Sequence, residues 1–239
     1  MEILSRMKIK IFMDGADVSS MRQAVESMPY VKGFTTNPTL MRKAGVVDYQ
    51  DFAQKALAAV GDMPISFEVF SDDFQDMERQ ARLIASWGKN AYVKIPVTNT
   101  KRESATPLIR RLSSDGIKLN VTAILSLAQV KDLTSALRPD VPSIVSVFAG
   151  RVADTGVDPV PLMRECLSIL SSHKKSELLW ASPRELLNIL QADEMGCHII
   201  TVTDDILKKL KLLGKNLEDY SLETVKMFYD DAQAAGFEL

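Results

Sequence analysis

The sequence contains little cysteine and histidine, with two residues of each among 239. Cys166 and Cys197 offer one possible pair and no disulfide framework, which is typical of a reducing compartment, so we expect a cytoplasmic protein. His173 and His198 are too few for a histidine-rich metal site, and Cys197 beside His198 is more typical of a buried strand than of a zinc ligand pair. We therefore expect no metal.

The chain also lacks a strong charge of either sign and a long apolar run. Its 29 basic and 31 acidic residues give a formal net charge of -2, which excludes a global attraction to nucleic acid or to an anionic membrane. No run of about 18 apolar residues occurs, and the first residues, MEILSRMKIKIF, lack the apolar core and cleavage site of a signal peptide. Phosphate-binding motifs of the GxGxxG and GxxxxGK[ST] types are absent. We expect neither a nucleic-acid nor a membrane partner.

Short apolar segments of strand length alternate with longer segments of helical period, which predicts an α/β fold with a parallel sheet. Eight strands are predicted, at 8–13, 33–36, 65–69, 91–95, 118–123, 144–148, 177–180 and 198–201. Eight helices are predicted between and after them, at 18–27, 48–60, 74–86, 104–114, 127–137, 161–171, 184–191 and 204–212. Eight such units close a (β/α)8 barrel, and no linker divides the chain, so we predict one domain over 1–239, although the length would also allow two small domains. An extra amphipathic helix is predicted at 222–235.

Alternation along the predicted strands separates outward apolar side chains from inward polar ones. In AYVKIP, Tyr92 and Lys94 share one face, and in ISFEVF, Ser66 and Glu68 share the corresponding face. The same parity places further side chains inside the barrel, mostly late in their strands, where barrel active sites are built: Asp14, Asn120, Thr122, Ser146 and Phe148. The alternative is that each polar group is isolated and satisfied by a local hydrogen bond.

Lys94 is the strongest candidate for chemistry. A lysine in a buried parallel strand must pair with a carboxylate or lose its charge, and a neutral amine can attack a ketone or aldehyde to form a Schiff base. Glu68 and Asp14 are candidates for the accompanying proton transfers. A purely structural pair of Lys94 with Glu68 or Asp14 remains the alternative.

Four segments, GFTTNPTL, YVKIPVT, NVTAILSLAQ and VFAGRVAD, resemble the transaldolase family in its short branch, which includes fructose-6-phosphate aldolases. The resemblance extends over nearly the whole chain. It implies a (β/α)8 barrel and class I aldol chemistry without a cofactor, in which Lys94 holds the dihydroxyacetone unit of a ketose phosphate as a Schiff base.

The resemblance also implies roles for the other residues. Asp14 would transfer protons at the sugar hydroxyl, and Glu68 with Thr122 would hold the water used in imine formation and hydrolysis. The hydroxyl groups of the bound sugar would be positioned by Thr35, Asn37, Asn120 and Ser146. The sequence departs from the family pattern in MDGAD, which replaces Asp-Thr-Ala-Asp, and at Pro183, where the family has an aromatic or basic residue.

Phosphate binding is implied for Arg151, with Ser182 and Arg184 of WASPRE completing the site. Ser182 is expected to cap a helix that begins at Pro183 and so to direct free N–H groups at an anion. The alternative for Arg184 is a solvent-facing residue in the first turn of that helix.

The leading hypothesis is transaldolase activity, which moves dihydroxyacetone from fructose 6-phosphate or sedoheptulose 7-phosphate to an aldose phosphate. The resemblance also implies that Glu68 together with Phe148 favours transfer, because the aldolase subgroup of the family has Gln and Tyr at the corresponding positions. The alternatives are an aldolase that releases free dihydroxyacetone and a catalytically silent barrel that binds sugar phosphates.

The resemblance also implies a homo-oligomer, a pentamer or decamer, in which the helix at 222–235 packs on a neighbouring subunit. Its alternative position is on its own barrel.

Overall fold

The computed structural model describes residue 4 and residues 6–238. Eight parallel strands pair in sequence order, and β8 pairs with β1 to close the barrel. The predicted fold class, a (β/α)8 barrel, is confirmed. The strands are β1 (Lys10–Asp14), β2 (Val31–Thr35), β3 (Ile65–Glu68), β4 (Ala91–Pro96), β5 (Leu119–Ile124), β6 (Ser143–Val147), β7 (Ser176–Trp180) and β8 (Ile199–Val202).

The described helices lie between the strands and after the last one. They are α1 (Val18–Ser27), α2 (Pro38–Lys43), α3 (Tyr49–Val60), α4 (Phe74–Ala85), α5 (Thr106–Ser114), α6 (Leu127–Thr134), α7 (Ala149–Asp154), α8 (Pro159–Leu170), α9 (Leu187–Glu194), α10 (Asp204–Lys208) and α11 (Leu217–Ala235), with a 3-10 helix at Lys209–Leu212. Within the described part of the chain, no helix is both long enough and apolar enough to cross a membrane.

Two short helices were not predicted, α2 and α7, and each contains six residues. Fewer than two helical turns show no clear period, so hydrophobic spacing does not reveal them. The capping chemistry of α2 is a better signal, because Asn37 Oδ1 accepts a hydrogen bond from the N–H of Leu40 at 2.9 Å and Pro38 occupies the first helical position. The predicted helix at 204–212 is divided into α10 and the 3-10 helix.

The last helix, α11, begins at Leu217, five residues before the predicted start at 222. Asn216 caps it by accepting hydrogen bonds from the N–H groups of Glu218 and Asp219, at 2.8 and 3.1 Å. None of its 19 residues is buried. Its own barrel therefore leaves the apolar side chains of α11 uncovered, and Val225, Phe228 and Tyr229 are 60%, 63% and 65% exposed.

The barrel interior has an apolar lower part. The side chains of Ile11 and Met13 on β1 join the core between sheet and helices, whereas Phe12 points inward, as the alternation predicts. Inward apolar side chains from several strands pack together below the polar ones: Phe12, Ile144, Leu179, Ala181 and Ile199, with Tyr92 and Phe148 partly buried against them. This packing forms an apolar floor beneath the polar side chains.

Gly33 leaves room for the Phe12 ring, which is part of this apolar floor. It pairs in register with Phe12, and a Cβ atom added at Gly33 would lie 2.6 Å from Cζ of the Phe12 ring. Because Phe12 is 2% exposed inside a closed barrel, its ring has little space to move away.

We predict that Gly33→Ala lowers the free energy of unfolding by about 1–3 kcal/mol through overpacking against Phe12. Urea denaturation of the variant and the parent protein measures this difference. Gly15→Ala is the matched control, because a Cβ atom at Gly15 meets no atom within 4 Å. Equal stability of the Gly33 variant and the parent would contradict the steric role of this glycine.

Candidate active site

A cavity of about 430 Å³ opens at the carboxyl ends of the strands. Eleven of the twelve residues predicted for a site line it, on strands β1 to β6 and on the segments that follow β2, β6 and β7. These residues are Asp14, Thr35, Asn37, Glu68, Lys94, Asn120, Thr122, Ser146, Phe148, Arg151 and Ser182. The twelfth, Arg184, does not line the cavity.

Lys94 lies on β4 with its amine inside the barrel and is 7% exposed. Its Nζ is 3.1 Å from Oε2 of Glu68 and donates a hydrogen bond to the backbone carbonyl of Thr36 at 3.0 Å. The register of the parallel ladder places Glu68 on β3 directly beside Lys94. A carboxylate at this distance can balance the charge of a buried ammonium or accept its proton, so both interpretations of Lys94 predict this contact.

Asp14 is the second carboxyl group that lines the cavity, and it is partly buried. Oδ1 accepts a hydrogen bond from Thr35 Oγ1 at 2.7 Å, and Oδ2 accepts a longer one from Asn37 Nδ2 at 3.4 Å. Burial raises the pKa of Asp14 above its usual 3.8, while the charge of Lys94 and the two hydrogen bonds act in the opposite direction. A carboxyl group with a raised pKa, placed near a lysine, is suited to proton transfer closer to neutral pH.

The polar side chains of β5 and β6 form a connected wall of the cavity. Asn120 Nδ2 donates to Ser66 Oγ at 2.9 Å, and Ser146 Oγ donates to Asn120 Oδ1 at 2.6 Å. Thr122 Oγ1 is buried and has no hydrogen-bond partner among the described residues. Its hydroxyl is thus available to a water molecule or a substrate group in the cavity.

Arg151 lines the cavity from α7, the short helix directly after β6. The central carbon of its guanidinium lies 5.1 Å from the centroid of the Phe148 ring. Ser182 faces the same cavity from the segment after β7 and has a left-handed backbone, with φ at 56°. This segment packs so closely on α7 that a Cβ atom at Gly150 would lie 1.5 Å from the carbonyl oxygen of Ser182.

The predicted cap at Ser182 is wrong. Helix α9 begins at Leu187 rather than at Pro183, and the side-chain oxygen of Asn188 accepts the N–H groups of Arg184 and Glu185, at 2.8 and 3.2 Å. The left-handed turn at Ser182 and its close contact with Gly150 hold the chain in a loop here, so the helix starts later.

Arg184 lies outside the cavity and is paired with Asp154 at the end of α7. Its Nε donates to Asp154 Oδ1 at 3.0 Å, and a second nitrogen, Nη2, donates to Oδ2. The carboxylate thus occupies the edge of the guanidinium formed by Nε and Nη2, one of the edges on which an arginine can bind a phosphate.

Thr201 is a residue of this site that was not predicted. It ends the predicted strand at 198–201, is 6% exposed and lines the cavity from β8. The inward parity that identified residues on five other strands applies here too, since Ile199 on the same face belongs to the apolar floor. Applied to the eighth strand, the same rule would have found Thr201.

Cys197 and His198 contact the backbone of their neighbours. Cys197 Sγ lies 3.4 Å from the carbonyl oxygen of Leu178, and His198 Nδ1 accepts the N–H of Leu178 at 3.0 Å. Burial raises the pKa of the Cys197 thiol to about 12. In the described ranges, no three His, Cys, Asp or Glu side chains are grouped so that they could hold a metal ion.

Sequence comparison finds relatives over almost the full length of the chain. The family model for transaldolase/fructose-6-phosphate aldolase matches residues 11–239. A protein of Thermoanaerobacter named "probable transaldolase" is 33% identical over 234 residues, which is 97% of this chain and 100% of the relative. A protein of Clostridium acetobutylicum with the same name is 36% identical over 205 residues, 84% of this chain and 89% of the relative.

Structural comparison finds other barrels at low sequence identity. A dihydrodipicolinate synthase family protein from Coccidioides immitis superposes with a TM-score of 0.60 at 14% identity, covering 91% of this chain and 76% of the other. A mandelate oxidase mutant superposes with a TM-score of 0.57 at 16% identity, covering 81% and 64%. At these identities the similarity shows the barrel fold alone.

Proposed function

Since the chain belongs to the transaldolase/fructose-6-phosphate aldolase family, we propose that it transfers a dihydroxyacetone unit from a ketose phosphate to an aldose phosphate through a Schiff base on Lys94. Fructose 6-phosphate and sedoheptulose 7-phosphate are the proposed donors. The observation that carries this proposal is the buried amine of Lys94, 3.1 Å from Glu68, in a cavity that Asp14 also lines.

The reaction begins with the loss of a proton from Lys94, for which the adjacent Glu68 carboxylate is the acceptor. The neutral amine attacks the ketone carbon of the sugar, Glu68 returns the proton to the departing hydroxyl group, and loss of water gives an iminium ion. Glu68 and the unpaired hydroxyl of Thr122 hold the water that leaves here and that returns in the final hydrolysis.

Carbon–carbon cleavage follows at the bond between the third and fourth sugar carbons. Asp14 accepts the proton of the hydroxyl on the fourth carbon, the aldose phosphate leaves, and the bonding electron pair moves to the iminium to form an enamine. Attack of this enamine on the acceptor aldehyde reverses the step, and Asp14 returns the proton. The hydroxyl groups of the sugar contact Thr35, Asn37, Asn120 and Ser146, which line the same cavity.

Sodium borohydride reduction in the presence of fructose 6-phosphate tests the Schiff base. We expect the protein mass to increase by one reduced three-carbon unit on Lys94, and Lys94→Ala to abolish the increase. Lys10→Ala is the matched control, because Lys10 is paired with Glu177 at 2.7 Å and does not line the cavity. Absence of an adduct, with sugar-phosphate binding intact, would favour the catalytically silent barrel.

Acceptor dependence separates transfer from release. We expect turnover of fructose 6-phosphate to require an aldose phosphate such as erythrose 4-phosphate. Equal rates with and without the acceptor would identify an aldolase that releases dihydroxyacetone, and the transferase proposal would fail.

Arg151 is the proposed phosphate-binding residue, because its guanidinium lies at the cavity while that of Arg184 is paired with Asp154. We predict that Arg151→Ala weakens binding of a phosphorylated ketose by about 1.5–3 kcal/mol, the range for a charge-assisted hydrogen bond. Arg184→Ala should weaken binding of the phosphorylated ketose by less than Arg151→Ala does. Affinities for phosphorylated and unphosphorylated ketoses measure the difference, and an equal loss for both sugars would contradict the phosphate role of Arg151.

A homo-oligomer, a pentamer or decamer, is the proposed assembly, with α11 packed on a neighbouring copy. Its uncovered aromatic side chains, Phe228 and Tyr229, and the absence of any buried residue on this helix support this proposal.

The two free buried thiols, Cys166 and Cys197, support a reducing compartment, and we propose the cytoplasm.

We predict that Phe228→Glu and deletion of residues 217–239 both give smaller particles by light scattering. Circular dichroism should show that the barrel remains folded. Lys226→Glu, on the same exposed helix, is the matched control for added negative charge and should leave the particle mass unchanged. An unchanged mass after the deletion would show that α11 does not hold the assembly together.

A further inference from the structure

Two threonine hydroxyls meet inside the barrel beside Asp14. Thr201 Oγ1 lies 2.5 Å from Thr35 Oγ1, and Thr35 Oγ1 donates to Asp14 Oδ1 at 2.7 Å. Thr201 is on β8 and Thr35 is on β2, the two strands that flank β1, which carries Asp14. The three side chains therefore form one hydrogen-bonded chain across the closure of the barrel.

The number of protons in this chain fixes its direction. An ionised carboxylate only accepts hydrogen bonds, and each threonine hydroxyl has a single proton. When Asp14 is ionised, the Thr35 proton is committed to Asp14 Oδ1. The proton between the two threonines must then come from Thr201, whose hydroxyl donates to Thr35.

We propose that Thr201 is a positioning residue for Asp14: its hydroxyl donates to Thr35, which keeps the Thr35 proton directed at Asp14 and stabilises the ionised carboxylate. This inference rests on the proposed role of Asp14 as the proton acceptor in carbon–carbon cleavage. Thr201 acts through Thr35, since the hydrogen bond of its hydroxyl is made with Thr35 Oγ1.

The stabilising donor matters because Asp14 is partly buried, and burial disfavours the charged form of its carboxyl group. Burial raises the pKa of Asp14, and the charge of Lys94 on β4, with the hydrogen bonds from Thr35 and Asn37, opposes this rise. The other charged side chains that line the cavity are Glu68 on β3 and Arg151 on α7. Loss of the Thr201 donor weakens the hydrogen bond from Thr35, so the pKa of Asp14 rises further and a smaller fraction is ionised at any given pH.

The test is the titration of the Asp14 carboxyl group, followed by carbon-13 NMR and assigned with Asp14→Asn. Thr201→Val preserves the shape of the side chain and removes the hydroxyl. We expect it to raise the pKa of Asp14 by about 0.1 to 0.6 unit, which corresponds to about 10–30% of the hydrogen bond that Thr35 donates to the charged carboxylate. In the transfer assay, the acidic limb of kcat should move upward by the same amount with little change in KM, and Thr201→Ser should restore both values.

Ser176→Ala is the matched control. Ser143 Oγ and Ser176 Oγ form a buried hydroxyl pair at 2.7 Å, at the start of β6 and β7 and far along the barrel axis from the cavity. The variant removes a hydrogen bond of the same kind, and we expect an unchanged titration of Asp14.

An Asp14 titration in Thr201→Val that matches the parent protein overturns the proposal, as does a shift that Thr201→Ser fails to reverse. Should Thr201→Val not fold, Thr201→Ala provides the same comparison. The NMR readout does not depend on activity. A shifted titration in a protein that transfers no sugar therefore supports the role of Thr201 and refutes the proposed function, whereas transfer with an unshifted titration does the reverse.

Discussion

The burial of one lysine amine inside a closed barrel is the constraint on which the site depends. Nζ of Lys94 has little access to water, and it is stabilised by Glu68 at 3.1 Å and by the carbonyl of Thr36 at 3.0 Å. An unpaired ammonium in such a place would be costly, so the amine must pair with a carboxylate or lose its charge. The register of β3 and β4 supplies the carboxylate by placing Glu68 beside Lys94. The apolar floor below keeps water from the lower side of this pair and so strengthens the charge interaction between the two groups.

The fold could be predicted from the sequence because its main signals are local. Apolar strand segments alternate with amphipathic helices, and side-chain parity separates the two faces of each strand without knowledge of its neighbours. Hydrophobic spacing did not predict the shortest helices, because six residues show no clear period, and it did not predict those boundaries that side-chain caps set. Asn216 extends α11 to an earlier start, and Asn37 with Pro38 begins a helix that is too short to show a period.

Within the site, too, residues fixed by local signals could be predicted, whereas residues fixed by contacts between distant segments could not. Residues on strands, such as Glu68 and Asn120, were placed by parity alone, and the structure brings them to one cavity. Residues on loops depend on contacts between segments that are distant in sequence. The left-handed turn at Ser182 and its packing on Gly150 delay the next helix, and Asp154 from α7 pairs with Arg184. No spacing pattern within the segment after β7 contains this information.

The ion pair of Lys94 with Glu68 lowers the free-energy cost of burying the amine, but it also opposes the proposed reaction, because an ammonium cannot attack a carbonyl group. Transfer of the proton from Lys94 to Glu68 removes one positive and one negative charge together, so the net charge of the site stays constant. When Glu68 returns this proton to the departing hydroxyl group, the iminium restores the positive charge at the same place, beside a carboxylate that is ionised again. Once Asp14 accepts the proton of the sugar hydroxyl, the iminium becomes a neutral enamine, so one positive and one negative charge again disappear together. In the proposed reaction, Glu68 and Asp14 thus act at different steps, and the net charge of the lysine nitrogen and the two carboxyl groups is the same throughout.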